Sequence, residues 1–409
     1  MEGLNGADVG FVIFAASLIM FMIPGLALFY GGMVKSKNVL SSTLHSYMAL
    51  AVISLQWILV GYSLAFGPDW NGLIGGLNWA FLKDVGMSVN PDYAATIPHL
   101  LFVVFQMMFA VITAAVISGA FAERMRFPAF LLFLVLWSTF VYDPVAHWIW
   151  GAGGWLKQLG VLDFAGGFVV EISSGIAGLV AAIVIGKRRR TRPDPHHIPM
   201  AILGGGILWF GWFGFNAGSA LAANGIAVNA FLTTNTAAAA GAISFVTMEW
   251  IINKKPTALG TVSGAIAGLV SITGGAGYVT PGSSLIIGLV GGLLSFLAIS
   301  RLKPKFGYDD ALDAFGCHGV AGIWGALATA VFASIKVNPA GADGLLYGNV
   351  ELFRNHLIAI GAIVVYTAVM TFVILKAISL VTTLRTKKEE ETEGLDISLH
   401  GESAYNALN

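Results

Sequence analysis

Charge is what this sequence has least of. Only 11% of its 409 residues are Asp, Glu, Lys or Arg, against about 25% in an ordinary soluble domain. A chain so poor in charge points to lipid rather than water as its main solvent. Net charge is zero, which argues against nucleic acid as a partner, because phosphate binding needs a basic surplus. Cysteine is nearly missing: Cys317 stands alone, so no internal disulfide can form and a zinc cluster is not expected. The N-terminal stretch MEGLNGADVG lacks the basic region of a secretory leader, so the first apolar segment reads as a retained span. No nucleophile constellation, metal-ligand cluster or cofactor motif stands out. Neither metal nor cofactor is expected, and a membrane enzyme is the least supported class.

What is abundant is apolar sequence, 56% of the chain, with a mean hydropathy of +0.79. A membrane span takes about 20 mostly apolar residues. Eleven such runs are present, near 8–32, 38–66, 98–122, 127–150, 166–186, 198–220, 228–252, 257–279, 281–300, 313–335 and 355–380. The break at Pro281 is the weakest division. The chain therefore reads as an all-α membrane protein in a lipid bilayer, with a transmembrane domain over 1–385 and a tail over 386–409.

The basic residues orient it. The segments 33–37, 123–126, 187–197, 253–256, 301–305 and everything after 380 hold 17 of the 22 Lys and Arg. By the positive-inside rule these face the cytoplasm, giving an N-out, C-in topology with an odd number of spans.

A repeat lies within the spans. Gly175, Gly178 and Ala181 follow Glu171 at the same offsets as Gly322, Gly325 and Ala328 follow His318. Asp163 and Asp310 each lie eight residues upstream. Five spans separate the two segments, so they run in opposite directions. That is the mark of an inverted repeat, with a substrate site near the midplane between the halves. Repeat one covers about 8–186 and repeat two about 198–335, leaving the last helix, about 355–380.

Offsets of four and seven share a helix face, and small residues there let backbones approach closely in lipid. If the fifth and tenth spans cross on these faces, Glu171 and His318 meet. Glu171 lies 16 residues from Lys187 and His318 lies 13 from Lys305, about 24 and 20 Å along a helix and deep in a ~30 Å core. A lone carboxylate there is too costly, so it must be neutral, paired or hydrated. Such a pair either shares a proton or fixes helix packing. Asp163 and Asp313 open the fifth and tenth spans, where an acidic residue caps backbone amides. Asp143, His147 and Glu249 fall near span ends and suit interfacial or packing roles. Trp150, Phe215 and Ser219 sit at outer span ends, as belt aromatics or as an aromatic wall with a hydroxyl acceptor for a small cation.

Six ordered blocks carry a family resemblance: FYGGMVKSKN (29–38), FQMMFAVITAAVISGAFAERMRF (105–127), DFAGGFVVEISSGIAGLVAA (163–182), GWFGFNAGSA (211–220), DAFGCHGVAGIWGAL (313–327) and GLDISLHGESAY (394–405). The chain resembles the ammonium transporter family, the Amt branch of the Amt/Mep/Rh superfamily, nearly end to end. The resemblance implies eleven helices, an inverted five-helix repeat and a homotrimer with one pore per subunit. It implies ammonium, with methylammonium beside it, as substrate. Recruitment falls on Trp150, Phe109 and Ser219, and a phenylalanine gate on Phe109 and Phe215. Trp212 lines the path below, and Asp163 is a structural support. Of the family's two pore histidines, the second matches His318 and the first falls on Glu171, a variant found in some members. The expected action is uptake across the cytoplasmic membrane: NH4+ is recruited, deprotonated and passed as NH3, with the proton moving by way of Glu171 and His318. A passive gas channel and an ammonium sensor are the competing readings. The tail combines KKEEETE, a solvated charge run, with a segment that by resemblance packs on the cytoplasmic loops and takes a PII-type signal protein as partner.

Overall fold

The computed structural model describes residues 3–189 and 195–405. Arg190 and Arg192, counted above among the basic residues, lie outside that range, as do residues 406–409 of the tail.

The described chain is helical throughout, apart from two short hairpins between the second and third long helices. Among the described residues, ten helices are long and apolar enough to cross a membrane. They are α1 (Gly6–Met33), α2 (Ser36–Phe66), α3 (His99–Phe121), α4 (Phe127–Gln158), α5 (Gly167–Ile185), α6 (Ile198–Gly218), α7 (Gly225–Asn253), α9 (Pro281–Phe306), α10 (Phe315–Phe332) and α11 (Val350–Val381). The remaining expected span is a shorter apolar helix, α8 (Ala258–Thr273).

Local sequence explains many of the starts. Asn5, Asn224, Thr257, Thr280 and Asn349 each accept a backbone N–H in the first turn of the helix that follows, satisfying donors that no helical carbonyl can reach. Pro199 and Pro281 sit in first turns, where a missing N–H costs nothing.

The division at Pro281 is real, and α8 ends earlier than the sequence suggests. Residues 274–280 form a turn rather than more helix. There the Gly274 carbonyl accepts from Phe164 N at 2.9 Å, and a side chain at Gly277 would overlap the Phe164 ring. The loop leading into α5 thus occupies the space in which α8 would continue.

Glycines set several close crossings, among them α1 with α6 and α5 with α10. Between α1 and α6, a Cβ at Gly204 would overlap the backbone of Phe29, and one at Gly32 would lie 2.6 Å from Ala201 N. Between α5 and α10 the contact is reciprocal. A Cβ at Gly175 would overlap the backbone of Gly319, and one at Gly322 would lie 2.9 Å from Glu171 Cβ. The other two glycines of the shared spacing face elsewhere: Gly178 meets Ala120, and Gly325 meets the Ser271 backbone of α8.

The tail is folded onto the loops. The backbone of 384–386 pairs with 124–126, through Arg126 N to the Leu384 carbonyl and Thr386 N to the Arg124 carbonyl. Two short helices follow, α12 (Lys388–Glu393) and α13 (Leu395–His400). KKEEETE is solvated along most of its length, as read from the sequence, but it is helical, and the Glu391 side chain is nearly buried between Arg189 and Arg385. Leu395 and Asp396 are buried, and Asp396 accepts from Leu40 N and Ser41 N at the start of α2. Beneath the tail, Arg188 bridges Asp309 at 2.8 Å and Glu123 at 2.9 Å. Burial pushes both carboxyls up. For Glu123 the Lys35 amide, Asn38 and Arg188 outweigh it, and for Asp309 chiefly Arg188, so both end below the usual range.

Candidate functional site

Asp163 positions the entry to α5. Its two carboxylate oxygens accept from the N–H groups of Gly166, Gly167, Phe168 and Val169 at 2.7–3.2 Å. Gly166 takes φ +108° to bring those amides round, a conformation natural only to glycine. The first turns that follow, Gly167–Ile172, are π-helical, and Glu171 lies in them. The same device opens α10, where Phe315–Val320 is π-helical and carries His318. Its cap is a correction to the sequence reading: Asp310, not Asp313, accepts from Ala314 N and Phe315 N. Asp313 has φ +61° and pairs instead with Lys303 at 2.6 Å.

Where α5 and α10 cross, His318 Nδ1 lies 2.7 Å from Glu171 Oε2, a hydrogen bond through one proton. Glu171 is 1% and His318 6% exposed. Both line a closed, largely apolar cavity of about 20 Å³, together with Tyr30, Val170, Trp212 and Phe215. That is room for about one water. Tyr30 donates its hydroxyl to the Val116 carbonyl, and Trp212 donates its indole N–H to Thr273 Oγ1, so neither leaves a donor hanging in the cavity.

Phe109 and Phe215 separate this cavity from a larger one. Their rings stack with centroids 4.2 Å apart, and both are buried. The second cavity, about 150 Å³, is lined by Phe109, Trp150 and Ser219, and also by Gln106, Lys157 and Asp163. Trp150 stands edge-on to Phe109 at 5.8 Å and is held by its N–H to the Asp163 carbonyl. Ser219 donates to the Phe215 carbonyl at 2.8 Å, leaving oxygen lone pairs available. The expected recruitment, gate and pore residues are therefore contiguous.

Gln106 and Tyr30 are among the lining residues that escaped the sequence reading. Gln106 is buried, and its Oε1 has no hydrogen-bond partner among the described residues; its position three before Phe109 on α3 was the available signal. Tyr30 was visible only as part of FYGG. Asp143 and His147 are fully buried rather than interfacial. Asp143 accepts from Gln56, and His147 bonds the Ala65 carbonyl and Asp69, which is packing. Among the described residues no group of three or more His, Cys, Asp or Glu could hold a metal.

Chemically, the arrangement is an aromatic outer chamber with a hydroxyl acceptor and a buried carboxylate cap beneath it. A closed aromatic pair follows, then an apolar chamber whose one acid–base couple is Glu171 with His318. Aromatic faces attract a small cation. The inner chamber is too small to admit one with its water.

Comparison with known proteins gives a consistent result. The model of the Ammonium Transporter Family matches residues 10–405. An ammonium transporter of Bacillus subtilis (strain 168) is 60% identical over 97% of this chain and 98% of its own. Among solved structures, Mep2 of Saccharomyces cerevisiae superposes with a TM-score of 0.89 at 36% identity, covering 95% of this chain and 89% of that one. A sensor Amt protein superposes with a TM-score of 0.87 at 30% identity, covering 96% and 98%.

Proposed function

The chain belongs to the ammonium transporter family, and on that premise we propose that it takes up ammonium across the cytoplasmic membrane by separating it into ammonia and a proton. NH4+ is held in the outer chamber against the Trp150 and Phe109 rings and donates to Ser219. Ammonium can lose a proton and potassium cannot, so a chamber with no room for a hydrated ion discriminates between them. Moving a bare cation through apolar surroundings is costly; neutral NH3 avoids that cost by slipping past Phe109 and Phe215 and along Trp212. The proton travels separately, by way of Glu171 and His318.

The single observation that carries this reading is the 2.7 Å contact between His318 and Glu171 at the wall of the small cavity. Two neutral imidazoles relay hydrogen bonds only. A carboxylate beside an imidazole adds a negative charge that a proton can neutralise. The test is current on solid-supported proteoliposomes with ammonium, methylammonium and potassium across pH. Wild type gives an ammonium-evoked current, and Glu171→Ala abolishes it; an unchanged current in Glu171→Ala removes the proton route.

The topology that goes with this function is N-out and C-in, supported by the clustering of basic residues, with α8 as the eleventh crossing. A homotrimer, and a PII-type signal protein at the inner face, belong to the same proposal. The tail packed on residues 37–41, 124–126 and Arg189 supports a regulatory part for it. Deleting 386–409 should reduce or deregulate uptake while leaving the oligomer intact; normal regulated uptake after deletion would count against that. The likeness to a sensor Amt protein supports a second reading, binding with negligible flux. Ammonium-evoked currents from the wild type in the test above would rule it out. A passive gas channel would give pH changes without current.

A further inference from the structure

The outer chamber, which on the reading above draws in a cation, carries a cation of its own. Lys157 lines it together with Tyr93, Phe109, Trp150 and Ser219. Its ammonium donates to the Trp150 carbonyl at 2.9 Å and lies 5.8 Å from the centroid of the Tyr93 ring. That is an alkylammonium on an aromatic face with one hydrogen bond. Both anchors are fixed. Tyr93 donates its hydroxyl to the Phe66 carbonyl and accepts from Ala152 N at 3.0 Å, tying the turn before Lys157 to the end of α2. The Trp150 indole is held by the Asp163 carbonyl. Lys157 therefore grips the backbone of the residue whose ring forms the wall for ammonium.

The charge of Lys157 is not cancelled on the spot. Two other charged groups line the chamber, Asp92 and Asp163. Asp163 spends both carboxylate oxygens on four backbone amides. Asp92 is exposed and forms no ion pair with Lys157 among the described residues. An ion inside a cavity of about 150 Å³ lies well within the screening length, about 10 Å at 0.1 M salt, of a charge on its wall. We propose that Lys157 is a resident cation that weakens ammonium binding in the outer chamber and makes it depend on ionic strength. The inference rests on the reading of this chamber as the recruitment site. A charge at a rim alters association and its salt dependence more than the steps that follow. The effect therefore falls on half-saturation more than on maximal current.

Half-saturating ammonium is measured from currents on solid-supported proteoliposomes in about 0.01 M and about 1 M sodium chloride, where charges are screened over about 30 Å and about 3 Å. Full-length wild type is compared with Lys157→Arg, Lys157→Gln and Lys157→Glu. Lys336→Gln, which alters an exposed lysine lining neither cavity, is the control. At low salt, half-saturation should fall about threefold in Lys157→Gln and about tenfold in Lys157→Glu. Lys157→Arg, which keeps the charge, and Lys336→Gln should stay within about twofold of wild type. At high salt all differences should shrink below about twofold. Equal half-saturation in wild type, Lys157→Gln and Lys157→Glu overturns the inference, and so does a difference that salt leaves unchanged. Loss of maximal current alone, alike at both salts, marks a lysine that only props the turn and overturns it too. No ammonium-evoked current from any of the proteins, wild type included, overturns the function proposed above and this inference with it.

Discussion

On α5, a capping aspartate, a π-helical entry, a titratable side chain and then a glycine follow one another as Asp163, Gly167–Ile172, Glu171 and Gly175. On α10 the same order recurs as Asp310, Phe315–Val320, His318 and Gly322. The backbone features agree because the two segments lie on each other: each glycine is the landing place for the other helix. The side chains that face the cavity are free of that constraint and differ. Positions where backbones touch are shared by both halves, and the chemistry sits where they diverge.

The largest effect should come from breaking the shared part. A side chain at Gly175 would run into the Gly319 backbone, which has no rotamer by which to yield. Gly175→Leu should cost more than about 4 kcal/mol and remove most folded protein, measured as monodisperse yield and thermal midpoint in detergent. Gly361→Leu, at a position with nothing within 4 Å of a Cβ, is the control and should fold normally. Near-normal yield of Gly175→Leu would mean that the crossing is looser than its geometry.

The caps are the next step down, and there the halves are unequal. Asp163 serves four amides and Asp310 two. Asp163→Ala should lose about 4 kcal/mol and Asp310→Ala about 2. Burial pushes both carboxyls up to about 6, despite the amides. Their folded values exceed the ordinary one, so their contribution is whole below about pH 4 and declines as pH rises through about 6. The thermal midpoint of the wild type should fall relative to either variant over that window. Equal losses for the two variants would erase the asymmetry.

This asymmetry also shows what the sequence could reveal. Spans and the glycine offsets are periodic, and they led to the Glu171–His318 contact before any coordinates. The cap did not follow. Asp310 and Asp313 both precede α10, and only Asp310 keeps the eight-residue distance that Asp163 has; judging Asp313 by its place at the span's start missed this. The early end of α8 was hidden because GGAGYV is apolar either way, and the obstacle, Phe164, lies about a hundred residues off in the chain. Charged α12 is mostly solvated, as its composition suggests, and the contacts that dock it, Glu391 with Arg189 and Thr392 with Lys37, stayed hidden because those partners are likewise remote. Local pattern exposes what a segment prefers and conceals what meets it in space.

The smallest structural change makes the two halves alike in chemistry as well. Glu171→His places imidazole opposite imidazole at a crossing that already accommodates one on the α10 side. Gly322, against Glu171 Cβ, leaves the space near the backbone unchanged. The thermal midpoint should therefore move little, on the order of 1 kcal/mol or less. The functional change should be qualitative. The wild-type pair gains a negative charge on losing a proton, whereas two imidazoles lose theirs to become neutral. Currents from the variant should differ in rate, in pH dependence or in the ratio of ammonium to potassium, with protein yield unchanged. A variant identical to wild type in all three would mean that the divergence at Glu171 is tolerated rather than used, and that the proton does not pass through this pair.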